Sequence, residues 1–126
     1  MSLSTSEVEF VAVSLAGQEA IYLRSTLTNF GFSQTKATFL YEDNLACVTM
    51  SENLVRRKCS RHIDIHKYYV HELVQNGFLK LVPLRTNKMV ADALTKSLPS
   101  PAFVRHRQIM TGHASFAARL LRCVCG

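Results

Sequence analysis

Two short β-prone runs, Ala37-Thr38-Phe39-Leu40-Tyr41 and Phe78-Leu79-Lys80-Leu81-Val82-Pro83-Leu84, lie far apart in the chain with only helical patterns between them. That separation constrains the fold more than any other feature. Neighbouring strands joined by helices are expected to run parallel, because a crossover of a dozen or more residues returns the chain to the same end of the sheet. The first run leads straight into Glu42-Asp43, and Pro83 falls near the end of the second, where a missing N–H matters least.

The remaining segments read as helices. The first is expected from Thr5 to Asn29, with Ser4 and Glu7 as a capping box and Gly31 as a stop signal. Val8, Val11, Ala12, Leu15, Ala16, Ile21, Tyr22, Leu23 and Leu27 form its expected apolar face. Asn44 reads as the cap of a short helix through Glu52, and His62 to Asn76 as a helix ending at Gly77. A helix is expected from Thr86 or Asn87 through Lys96, and another from Ala102 to Met110. Through Lys96 the order is helix, strand, helix, helix, strand, helix, an α/β pattern. Two strands are too few for such a sheet to stand alone, and the first helix is more apolar than they can cover, so further strands are expected upstream.

A chain of 126 residues, 48% of them hydrophobic, has room for one core and is not a disordered polymer. No apolar run is long enough for a membrane span, and Met-Ser-Leu-Ser-Thr-Ser-Glu lacks the parts of a signal peptide, so an intracellular setting is the expectation. The formal charge of +6 favours polyanionic partners. Cys47, Cys59, Cys123 and Cys125 show no disulfide framework and are expected as free thiols.

Only nine residues are acidic, against fifteen Lys and Arg. Three of them stand at element ends: Glu9 in the second turn of the first helix, Asp43 after the first strand, and Asp92 near the start of a later helix. Ligands of α/β sheets collect at the C-terminal ends of strands, so Asp43 is well placed. Carboxylates that gather repel one another unless a cation lies between them, and Mg²⁺ suits an all-oxygen set. The plainer reading keeps each acid separate, with Glu7 and Glu9 favoured by a helix dipole, Asp43 as a helix cap and Asp92 as a solvated surface acid.

Ser4-Thr5-Ser6-Glu7-Val8-Glu9-Phe10, Glu42-Asp43-Asn44-Leu45-Ala46, Arg61-His62-Ile63-Asp64-Ile65 and Ala91-Asp92-Ala93-Leu94-Thr95-Lys96-Ser97-Leu98 occur in that order. Together they resemble the successive motifs of the ribonuclease H domain of copia-type retrotransposon polyproteins. Asn76-Gly77, Val82-Pro83 and Phe103-Val104-Arg105-His106-Arg107 fit the same order. The resemblance covers residues 2–110 and implies a partial RNase H-like fold without its first three strands, leaving 111–126 as a tail of unknown structure. It implies two-metal hydrolysis of the RNA strand of an RNA/DNA hybrid, with Glu9, Asp43 and Asp92 as catalytic, metal-holding acids, Mg²⁺ or Mn²⁺ as cofactor, and an upstream reverse transcriptase segment as neighbour. The family's first strand carries an Asp that bridges both metals, and no residue here matches it. The isolated chain is therefore expected to be catalytically weak or inactive, and marginally folded. The alternatives are a non-catalytic nucleic-acid- or protein-binding remnant and a degenerate open reading frame.

Arg56, Arg57, Lys58 and Arg61 form the densest basic cluster, read either as phosphate contacts or as a solvated loop. Tyr68 and Tyr69 could stack on bases but are expected in the core. Cys59, His62 and His66 have partial zinc-ligand spacing, yet Cys123-Val124-Cys125 is a poor source of the fourth ligand.

Overall fold

The computed structural model describes residues 5–53 and 61–115, with Arg61 described in its backbone only. The Ser4 half of the expected capping box lies outside these residues. The first compact unit, Met1–Leu84, contains α1 (Thr5–Asn29), β1 (Thr38–Glu42), α2 (Leu45–Glu52), α3 (Arg61–Gln75) and β2 (Leu79–Pro83). The second, Arg85–Gly126, contains a 3₁₀ turn at Thr86–Lys88, α4 (Asp92–Thr95) and α5 (Ser100–Met110). The fold is mixed α/β, mostly helical, with one parallel two-stranded sheet among the described residues.

The ladder pairs Thr38 with Leu79, Leu40 with Leu81 and Glu42 with Pro83. Its last rung runs from the Leu84 N–H to the Glu42 carbonyl at 2.9 Å, so Pro83 is not asked for a donor. Because side chains alternate along a strand, Thr38, Leu40 and Glu42 share one face with Leu79 and Leu81. Leu79 and Leu81 are buried in the core with Phe10, Val13, Cys47, Val70 and Leu73. Phe39 and Lys80 are on the other face, and both are exposed.

Helices α1 and α3 end alike. Phe32 N–H reaches Leu27 O and Gly31 N–H reaches Thr28 O, while Phe78 N–H reaches Leu73 O and Gly77 N–H reaches Val74 O. These are paired Schellman bonds, and Gly31 (φ 90°) and Gly77 (φ 74°) supply the left-handed residue each requires. Asn44 caps α2 as expected, its Oδ1 accepting from Ala46 N at 3.0 Å and Cys47 N at 3.4 Å. The loop from α1 into β1 is held by Arg24, which donates to Gln34 O, Lys36 O and Thr38 Oγ1 and lies over the Phe78 ring.

Helix α1 corrects one expectation. Its buried residues are Phe10, Val13, Ser14 and Gly17, which repeat at i, i+3, i+4 and i+7. Val8, Leu15, Tyr22, Leu23 and Leu27, expected on the packed face, are exposed. A helix apolar on all sides cannot announce which side packs. The small residues decide, since a Cβ at Gly17 would stand 3.0 Å from Leu73 Cδ1 of α3. Ile21 does reach the core margin, as expected.

The segment 86–96 is a second correction. Instead of one helix it forms a 3₁₀ turn, then an extended Met89 (φ −68°, ψ 101°), then the four-residue α4. Thr86, Asn87 and β-branched Val90 are poor helix formers, so a single helix from Thr86 or Asn87 through Lys96 overstretched the element. Tyr69 borders the core as expected, but Tyr68 is exposed.

Candidate carboxylate site

Glu9, Glu42 and Asp43 come together in the first unit, each offering a carboxylate oxygen so that the three atoms lie within 4.8 Å of one another. Their elements explain the meeting. Glu9 stands one turn into α1, Glu42 ends β1, and Asp43 occupies the bend before α2. The N-terminal turn of α1 is drawn to α2 by the buried Cys47, whose thiol donates to Ser6 O at 3.6 Å. That contact brings the second turn of α1 beside the end of β1.

Glu42 is the residue that sequence reasoning passed over. It follows Leu40 by two positions, and the period of the strand therefore turns it toward the buried side. It is only 7% exposed. Its Oε1 accepts the Asn44 N–H at 3.0 Å, and its carboxyl also shares a side-chain hydrogen bond with Asp43. Burial, followed by the charges of Glu9 and Asp43 and the bond to Asp43, lifts its pKa from 4.5 to about 7, against the lowering effect of the Asn44 bond. Cys47 feels the same surroundings: desolvation first, then the negative charges of Glu42, Glu9 and Asp43, push its thiol up to about 12.

Burial leads both shifts, and the neighbouring negative charges add to it. An oxygen-only set of this kind fits a hard divalent ion such as Mg²⁺. Glu9 and Asp43 are positioned to hold one, with the buried Glu42 beside them.

Asp92 lies in the second unit, in the first turn of α4, where its Oδ2 pairs with Lys96 Nζ at 3.2 Å. The side chain of Asp92 is largely buried, whereas that of Lys96 is open. Arg56, Arg57 and Lys58 lie outside the described residues, as do Cys59, Cys123 and Cys125, and nothing of the Arg61 side chain is described. His62 is exposed, and His66 Nδ1 is engaged with Ser14 Oγ at 2.8 Å, so one ring nitrogen of the partial Cys59, His62 and His66 spacing already has a partner. No helix among the described residues is long and apolar enough to cross a membrane.

A mixed α/β chain with carboxylates at the C-terminal end of a parallel strand is the class defined by this geometry. The chain is homologous to retrovirus-related Pol polyproteins of plant transposons. It is 30% identical over 115 residues to the retrovirus-related Pol polyprotein from transposon TNT 1-94 of Nicotiana tabacum, a match covering 91% of this chain and 9% of that protein. It is 32% identical over 100 residues to the corresponding polyprotein from transposon RE1 of Arabidopsis thaliana, and 30% identical over 100 residues to that from RE2. Each of these two matches covers 79% of this chain and 7% of the relative. The chain thus spans less than a tenth of the length of the relatives it matches. No family model matches it, and no solved structure does.

Proposed function

We propose that this chain is the ribonuclease H part of a copia-type retrotransposon Pol polyprotein, built to act on the RNA strand of an RNA/DNA hybrid. The observation that carries the proposal is the convergence of Glu9 and Asp43, two acids named by the motif resemblance, at the end of β1. In this reading Glu9 and Asp43 hold Mg²⁺ or Mn²⁺ beside Glu42, and the resemblance assigns Asp92 the same role. When bound, such ions activate a water and stabilise the leaving oxygen in phosphodiester hydrolysis. The protein's part is to fix the carboxylates and to draw the hybrid to a chain of charge +6. A larger RNase H-like sheet also gives the exposed apolar side of α1 something to pack against.

Titrating the 126-residue chain with Mn²⁺ and following water-proton relaxation tests the site. Asp43→Asn and Glu9→Gln are each expected to weaken binding about tenfold or more, the loss of a charge-assisted contact of about 1.5–3 kcal/mol. A chain that takes no Mn²⁺ rejects the metal site, and Asp92→Asn judges that residue separately. Since no residue of the chain matches the family's bridging Asp, hybrid RNA is expected to be cut weakly or not at all by the 126 residues alone. An efficient metal-dependent cut abolished by Asp43→Asn would overturn that expectation. The positive charge also supports a second reading, a non-catalytic binding remnant, in which salt-sensitive hybrid binding survives both Asp43→Asn and Asp92→Asn.

A further inference from the structure

We infer that Glu42 is a positioning residue: it acts as the brace that aims Asp43. The inference rests on the metal-site reading for its consequence, but its physical content is independent of it. Asp43 occupies a bend between β1 and α2, and a bend alone does not hold a carboxylate in one orientation. Four bonds restrain this one. The Glu42 carbonyl is tied to Leu84 N–H at 2.9 Å, which anchors the residue before the bend to the sheet. The Glu42 Oε1 takes the Asn44 N–H at 3.0 Å, which anchors the residue after it. Asn44 in turn caps α2 through Ala46 N and Cys47 N. The side chain of Glu42 thus spans the bend from inside and reaches Asp43 as well.

A group bonded in this way serves through hydrogen bonds. Glutamine has the same length, and it offers an acceptor for Asn44 N–H and a donor toward Asp43. A leucine of similar bulk offers neither. The two variants therefore separate a brace from a ligand, since a ligand needs the negative oxygen and a brace does not.

The experiment measures two quantities on the full chain and its variants: amide exchange at Asn44 and Mn²⁺ affinity. Glu42→Gln is expected to keep both within about twofold of the wild type, whereas Glu42→Leu speeds Asn44 exchange and weakens Mn²⁺ binding about five- to tenfold each, the loss of one hydrogen bond of about 1 kcal/mol. Weakening of Mn²⁺ binding by Glu42→Gln to the level of Asp43→Asn overturns the inference and makes Glu42 a ligand. Unchanged Asn44 exchange in a folded Glu42→Leu chain overturns it too. Should Glu42→Leu not fold, the glutamine variant decides alone. A wild-type chain that takes no Mn²⁺ rejects the metal reading instead, and Asn44 exchange then judges the brace by itself.

Discussion

Glu42 carries the clearest pH signature of the molecule. Its pKa stands at about 7 in the fold against 4.5 as its ordinary value, so between these pH values the folded chain keeps a proton that the unfolded chain has released. Its contribution to stability is fully present below pH 4.5 and is lost as pH rises through about 7. Denaturant unfolding of wild type and Glu42→Gln across that range checks this: the wild type should lose stability relative to the variant on going from pH 4.5 to pH 8. Parallel pH profiles would sink it. Asp43 was legible in the sequence because an acid after an apolar run is conspicuous. Glu42 was less so, because its importance depends on which face of β1 is buried, and only the helices packed on that face set this.

At the scale of elements, the local signals with their own chemistry translated directly. Asn44 was expected to cap α2, and two backbone donors converge on its side chain. Asn44→Ala is expected to cost about 1 kcal/mol, and Asn44→Asp a few tenths at most, both readable as shifts in urea midpoint. An alanine variant as stable as the wild type would show that the cap contributes nothing. Gly31 and Gly77 also ended their helices where expected, because the left-handed residue of a Schellman turn is a local requirement. Segment 86–96 did not follow its expected form. Its extended Met89 interrupts what the sequence pattern suggested was one helix, and no capping residue marks the interruption.

Across the whole chain, the apolar surface of the first unit exceeds what its described core consumes. Val8, Leu15 and Tyr22 are two turns apart on α1, opposite the buried Phe10, Val13, Ser14 and Gly17, and Tyr22 is 67% exposed. Large apolar patches of this kind favour association. The 126-residue chain is expected to bind an apolar dye and to self-associate as concentration rises, and the pair Leu15→Lys and Leu23→Lys to reduce both without lowering the unfolding midpoint. Sedimentation that shows a monomer at all concentrations, with no dye binding, would refute this. By itself, the sequence determined the order from α1 to β2, the parallel pairing of β1 with β2, the Asn44 cap and the Gly31 and Gly77 stops, because each follows from local periodicity, crossover length or one residue's backbone preference. Only the tertiary structure decided that α1 packs through Ser14 and Gly17, and that Glu42 joins Glu9 and Asp43. Those outcomes depend on which surfaces approach most closely, and close approach is a property of pairs of elements far apart in the chain.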